Sequence, residues 1–140
     1  MANISYVHGD CLVTFPDGDP KELIEKINQV TQEWYCFIDF SQVSHYSGLT
    51  YKCQFEAGGR WAFAGLLEIL GPRLSESAPE DIIKFLEEKE WFLCFEYLDH
   101  EPNNGVLKMN QTQIDHEAGQ PLSDIEAKTT LIEDLQCQFD

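Results

Sequence analysis

Basic residues are scarce in this chain: its 140 residues include nine lysines and arginines against 25 aspartates and glutamates, a formal net charge of −16 at pH 7. This charge repels phosphate backbones and anionic lipids, which argues against direct binding of DNA, RNA or a membrane surface. The apolar runs are far shorter than the roughly 18 residues of a membrane span. No residue pattern recurs at a fixed period, which excludes a solenoid.

Paired cysteines and catalytic signatures are also absent. The five cysteines lie far apart, and no Cys-x-x-Cys occurs. Their odd number and the lack of a secretory apolar segment predict reduced, structural thiols and a cytoplasmic location. There is no Gly-x-Ser-x-Gly turn and no phosphate-binding glycine loop, so we expect no cofactor.

Two Asp-His-Glu triplets, which begin at Asp99 and Asp115, have the residue types of a metal site,. A hairpin turn between them would place Glu101 opposite Val106 and Asp115 opposite Phe92. The triplets would then lie roughly 20 Å apart, at about 3.3 Å per residue. We therefore expect solvated loop residues and no metal site.

Alternating apolar and polar residues predict five strands: Ser5–Phe15, Tyr35–Phe40, Leu49–Phe55, Trp91–Leu98 and Val106–Ile114,. Leu49, Tyr51, Cys53 and Phe55 are expected to share one face of the third strand, which is typical of an antiparallel sheet. With the helices between them, these strands predict an α+β, two-layer, ferredoxin-like (split βαβ) fold. It has helices on one face and an added C-terminal hairpin strand.

Three helices lie between the strands. Asp19 is the expected cap of the first, and helical apolar spacing begins the second at Phe63,. Gly71-Pro72 is expected to end the second helix, and Ser77 is expected to cap the third.

One domain over residues 1–114 is predicted, followed by an acidic tail over residues 115–140. Ser123 and Glu126 have the spacing of a capping box for a short helix in this tail. The pair Thr129-Thr130 weakens the helix prediction.

A glycine-arginine-tryptophan turn within Phe55–Phe63 joins the third strand to the second helix, and Phe95-Glu96-Tyr97 is followed by acids, a glycine turn and another strand. These features resemble the ferredoxin-like domain of Api-like plasmid and phage proteins, over about residues 50–108. The usual proline pair after Trp61 is missing here. The resemblance implies the fold and a mobile-element origin, and it supplies no reaction, cofactor or catalytic residue.

The same turn contains the first candidate binding residues, Arg60 and Trp61. A guanidinium and a rigid aromatic ring beside glycines are favoured at binding hot spots. The structural alternative is that Trp61 packs under the helix and Arg60 pairs with a nearby acid.

Acidic residues of the second half are the other candidates, because residues 71–140 hold 16 of the 25 acids. A solvated surface is one interpretation, and a docking face for a basic partner is the other. The residues predicted to form such a face are Glu87, Glu88, Glu96, Asp99 and Glu101.

These observations favour a non-enzymatic phage or mobile-element protein that inhibits a basic host nucleic-acid-binding complex. Anti-CRISPR and anti-restriction proteins are such a class, and the partner would be a CRISPR effector or restriction subunit bound through charge mimicry of DNA or RNA. Two alternatives stay open: a small enzyme with a Cys/His pocket, and a module that binds a small ligand or effector.

Overall fold

The computed structural model describes residues 5–16, 18–31, 36–59, 63–102 and 105–135. These residues form six strands and four α-helices, in the order β1 (Ser5–Thr14), α1 (Pro20–Thr31), β2 (Cys36–Ser47), β3 (Thr50–Gly59), α2 (Phe63–Glu68), α3 (Leu70–Ser77), α4 (Glu80–Glu88), β4 (Trp91–Glu101), β5 (Val106–His116) and β6 (Ala127–Asp134). The predicted α+β class is confirmed. A 3-10 turn, Leu122–Asp124, lies between β5 and β6.

The strands form one antiparallel sheet in the order β2-β3-β1-β4-β5-β6. β3 lies between β1 and β2, so the two strands that α1 connects are not neighbours. β4 and β5 form the predicted hairpin, and the predicted pairs Glu101 with Val106 and Phe92 with Asp115 are confirmed. β2 and β6 are the edge strands.

One face of the sheet packs against the helices. Cys11 of β1 is fully buried, and the register places it between Cys53 of β3 and Phe95 of β4 on the same face. Phe63 at the start of α2 stacks on Phe55 with ring centroids 5.7 Å apart. Buried strand and helix residues therefore form a single core.

The predicted alternation in β3 holds at Cys53 and Phe55, which are buried. It fails at Leu49, which is 59% exposed. Leu49 belongs to the turn between β2 and β3, where Gly48 has a φ of 56°. A turn residue has no partner strand that would set the direction of its side chain.

The first helix begins as predicted. The backbone N–H of Lys21 donates to the Asp19 carboxylate at 3.0 Å, which is the expected N-terminal cap,. Leu23, Ile27 and Val30 recur at helical spacing and are buried in the core,.

The prediction that Gly71-Pro72 ends the second helix is wrong. The break falls at Ile69, and Gly71 and Pro72 lie in the first turn of α3, where proline is tolerated,. A Cβ on Gly71 would overlap the carbonyl oxygen of Leu122 and the side chain of Ile125. The glycine therefore permits the segment after β5 to pack closely against α3.

The predicted cap at Ser77 is also wrong. Ser77 is the last residue of α3, and its hydroxyl donates to the Arg73 carbonyl at 2.7 Å. Pro79 holds the N-cap position of α4 and makes no side-chain capping bond. Glu80 and Asp81 in the first turn still complement the positive end of the helix dipole,.

The short helix expected in the acidic tail is replaced by the 3-10 turn and β6, which pairs with β5. Thr129 lies opposite Thr112, and their hydroxyl oxygens are 2.9 Å apart. β-Branched threonine and isoleucine side chains fit a sheet better than a helix. The segment that the sequence marks as a tail therefore extends the sheet.

Gly9 yields the first testable prediction. A Cβ at this position of β1 would overlap the backbone of Glu96 and Tyr97 on β4. Gly9→Ala must separate two central strands, and we expect it to lower the free energy of unfolding by about 1–3 kcal/mol. Denaturant unfolding measures this change.

Gly65→Ala is the matched control. Gly65 lies in α2, and no heavy atom lies within 4 Å of the place that an added Cβ would take. Alanine there should stabilise the protein by up to about 1 kcal/mol through helix propensity. Equal stabilities of the two variants would contradict the close approach at Gly9.

Candidate functional site

The five acids among the predicted binding residues do not share one surface. Arg60 and Trp61 lie outside the described residues. Glu88 precedes β4, and Glu101 ends this 11-residue strand. At 3.3 Å per residue, the two positions are roughly 35 Å apart. The predicted convergence of the acids into a single face is therefore not observed.

Glu87 is used inside the protein. Its carboxylate accepts a hydrogen bond from the backbone N–H of Leu122 at 2.8 Å, and its carbonyl accepts one from Gly119 at 2.7 Å. Both contacts hold the segment after β5 against the end of α4. The neighbouring Glu88 is exposed, and its Oε1 atom lies 3.9 Å from Nζ of Lys84, one helical turn away.

Asp99 and Glu101 point towards the core side of the sheet, with 1% and 5% of their surface exposed. The alternation of β4 explains this, because Trp91, Phe95 and Tyr97 have the same parity and are buried. Continuing that parity two and four residues beyond Tyr97 would have predicted that both acids are buried. The expectation that these two acids are exposed is therefore wrong.

Asp99 is held by Ser5, whose hydroxyl donates to Oδ1 at 3.0 Å. Burial first, and then the neighbouring carboxyl of Glu101, raise the pKa of Asp99 to about 7,. The Ser5 hydrogen bond and the charge of Lys108 act in the opposite direction. Near neutral pH this carboxyl therefore exchanges a proton within the fold.

A second polar contact lies beside this carboxyl, on the same face. The Tyr97 hydroxyl lies 2.8 Å from the Thr112 hydroxyl, which in turn lies 2.9 Å from that of Thr129. Burial raises the pKa of Tyr97 to about 12. This chain of hydroxyls satisfies polar groups across β4, β5 and β6 and attaches the edge strand to the core.

His116 has a structural environment. Its ring is buried, stacks on Trp91 at 4.9 Å, and places its nitrogens 2.7 Å from the Lys89 carbonyl and 2.8 Å from the Gln120 carbonyl. In the Asp-His-Glu triplet that begins at Asp115, the histidine is therefore buried while both acids are exposed. Within the described residues, no group of three histidine, cysteine or acidic side chains is arranged to hold a metal ion.

Two of the described thiols are poor nucleophiles, and the third, Cys53, is buried in the core, although its hydrogen bond with Cys11 lowers its pKa. Burial raises the pKa of Cys11 and Cys94, which disfavours the thiolate,. His8 pairs with Leu98, four residues along β4 from Cys94, so thiol and imidazole are separated by about 13 Å along the strand,. Among the described residues, no hydrogen bond joins a histidine to a cysteine.

The second face of the sheet, which we call the open face, carries the alternate residues of the same strands. Glu96 lies on it, exposed, and its register partner on β1 is Asp10. Asp10 forms an ion pair with Lys52 of β3 at 3.7 Å. Leu98 is half-buried on the same face.

Exposed acids also cluster at the end of the sheet where β4 begins, in what we call the terminal acidic patch. Glu90 immediately precedes Trp91, which pairs with His116. The chain neighbours of His116 are acidic, and the residue before β6 is acidic as well. The patch consists of Glu90, Asp115, Glu117 and Glu126, all exposed.

No family model, curated protein or solved structure matches this chain. Among the described residues, no helix is both long and apolar enough to cross a membrane.

The buried carboxyl of Asp99 yields a prediction on pH. The unfolded chain releases this proton near its ordinary pKa of about 4, whereas the folded state holds it until about pH 7,. The folded state binds more protons in this window, so the free energy of unfolding falls as pH rises, by up to about 1.4 kcal/mol per pH unit.

Asp99→Asn removes the titrating group and should flatten this part of the stability profile, measured by urea unfolding between about pH 4 and pH 7. Asp115→Asn, at an exposed position of β5, is the control and should retain the wild-type slope. If both variants keep the wild-type slope, Asp99 is not the group that releases the proton.

Proposed function

We propose that this chain is a non-enzymatic cytoplasmic inhibitor of phage or mobile-element type. It binds a basic host nucleic-acid-binding complex, a CRISPR effector or a restriction subunit, by presenting carboxylates in place of phosphates. The resemblance to Api-like plasmid and phage proteins supports the origin, and the charge of the chain supports the mode of binding. The competing ligand is the nucleic acid of the host complex.

The strand order supports the finer fold within this proposal. Read from β4, the first four strands have the order β4-β1-β3-β2, with β3 between the two strands that α1 connects. That is the order of a split βαβ, ferredoxin-like sheet, and β5 and β6 extend it on the β4 side. The two added strands belong to the acid-rich half of the chain.

The observation that carries the function is the excess of acids over bases. With 25 acids and nine bases, one-to-one pairing would leave 16 carboxylates in excess. Where the structure describes the side chain of an acid, that side chain is exposed, apart from Asp10, Glu87, Asp99 and Glu101. The resulting field attracts a basic surface and increases its association rate.

The terminal acidic patch is the contact surface that we propose, because four exposed carboxylates meet there at one end of three adjacent strands. Arg60 and Trp61 remain proposed aromatic and guanidinium anchors. The buried Asp99 and Glu101 and the internally bonded Glu87 are left out of the contact.

The enzyme alternative has less support, since burial raises the pKa of Cys94 on the open face and disfavours an activated thiolate,. The chain should therefore retain binding after Cys94→Ser and after His8→Ala, whereas an enzyme that used either group would lose its activity.

The binding prediction uses a tagged chain, capture from host lysate and identification by mass spectrometry. We expect the chain to capture a CRISPR effector or restriction subunit, and duplex DNA to displace the chain from it. The affinity of the chain for this partner should be at least about tenfold lower at 200 mM than at 50 mM salt, because salt screens the exposed charges. A captured protein that tolerates high salt and excess DNA would contradict charge mimicry.

Charge reversal locates the contact. Lysine at all four residues of the terminal acidic patch should abolish capture, whereas lysine at four exposed acids elsewhere should weaken it only slightly. The control positions are Glu22, Glu25, Glu68 and Glu76. The free energy of unfolding of each variant should differ from the wild-type value by less than about 1 kcal/mol per substituted residue, because exposed charges contribute little to stability. Equal loss of capture would show that total charge, and not the patch, determines binding.

A further inference from the structure

β4 has apolar residues on both of its faces, although the described helices pack on only one. Towards the core it presents Trp91 and Phe95, and towards the open face it presents Phe92, Cys94 and Leu98. Strands with apolar residues on both sides are typical of sheets that are covered on both sides. The sequence of β4 is therefore typical of a strand whose sheet is covered on both faces.

The open face is concave. A cavity of about 530 Å³ is lined by side chains from five strands and by Leu135, directly after β6. A second cavity of about 430 Å³ adjoins it and shares His8, Gly9 and Asp10. No residue of the described helices lines either cavity. Tyr46 lines the larger cavity, and 58% of its surface is exposed.

The charge of this face restricts what can cover it. Asp10 is paired with Lys52, but Glu56 and Glu96 have no basic side chain within 4 Å among the described residues. A second copy of the chain would bring the same acids and a further charge of −16 against them. Nucleic acids and anionic lipids are repelled in the same way.

We propose that the open face binds a basic amphipathic helix of a protein partner. Lysine or arginine side chains of the helix pair with Glu56 and Glu96, where arginine can form two parallel hydrogen bonds with a carboxylate. Its apolar side chains pack on Leu12, Leu98 and Met109, which line the larger cavity. An amphipathic helix is one of the elements that cover a sheet face in layered folds.

The dimensions of the open face agree with a helix as its occupant. Six strands at a spacing of about 4.8 Å make the sheet about 24 Å wide,. A helix of about 16 residues has the same length, and its diameter of about 10 Å suits a shallow concave surface.

This inference goes beyond charge mimicry, because it requires apolar contact on the open face and not only carboxylates on the terminal acidic patch. The two proposals therefore respond to different variants and different probes.

The probe is a synthetic peptide of about 16 residues in which leucines recur at helical spacing on one side and arginines and alanines occupy the other. Titration into the isotope-labelled protein, followed by amide NMR shifts, should perturb β1 and β4 around Leu12 and Leu98. A peptide with glutamate in place of arginine, and a peptide of scrambled order, should each bind at least about tenfold more weakly.

The double variant Glu96→Gln with Leu98→Thr should reduce the affinity for the arginine-leucine peptide at least about tenfold. The double variant Glu22→Gln with Glu25→Gln, on exposed positions of α1, should change it less than about twofold,. Thermal unfolding of each variant confirms that it is folded. A third variant, Met109→Thr, tests the apolar contact independently of Glu96.

Four outcomes would overturn the inference: no binding, equal binding of the scrambled peptide, shifts confined to the terminal acidic patch, or a self-associated dimer that shows the same shifts without peptide. If the host complex is still captured in a salt-dependent way in any of these cases, charge mimicry stands and only the open-face site fails.

Discussion

The close approach of β1 to β4 at Gly9 is the constraint on which the rest of the structure depends. Gly9 lies between Phe55 of β3 and Tyr97 of β4, and the absence of a side chain allows the β4 backbone to come close. The rings of Phe55 and Tyr97 both meet Phe63 of α2, at 5.7 Å and 5.1 Å. One glycine thus connects the spacing of the central strands with the packing of α2 against them.

The distribution of charge follows from this arrangement. A core built on the inward residues of β1, β3 and β4 leaves almost every described acid on the surface, where water and salt reduce the repulsion between them,. Asp99 and Glu101 are the exception, because they continue the inward parity of β4 beyond its aromatic residues. Desolvation of a carboxylate is costly, and a proton held at Asp99 reduces that cost,.

The two proposed surfaces have different physical characters. The terminal acidic patch is fully exposed and acts through long-range attraction, which is sensitive to salt. The open face combines the exposed acids Glu56 and Glu96 with half-buried leucine and methionine side chains, so contact there also removes apolar surface from water,. A basic partner that is attracted by the patch and packed on the open face would use both contributions.

Sequence alone determined the fold class, the cap of α1, the β4–β5 register and the inward side of β3, since each follows from local periodicity or turn chemistry. It also determined the excess of acids. Tertiary structure decided the roles of Gly71 and Ser77, the strand formed by Ala127–Asp134, and the internal use of Glu87. For Gly71 and Glu87 the deciding contact is with Leu122, a residue distant in sequence from both. Whether an acid is exposed depends on which face of the sheet the helices cover, and composition carries no information on that choice.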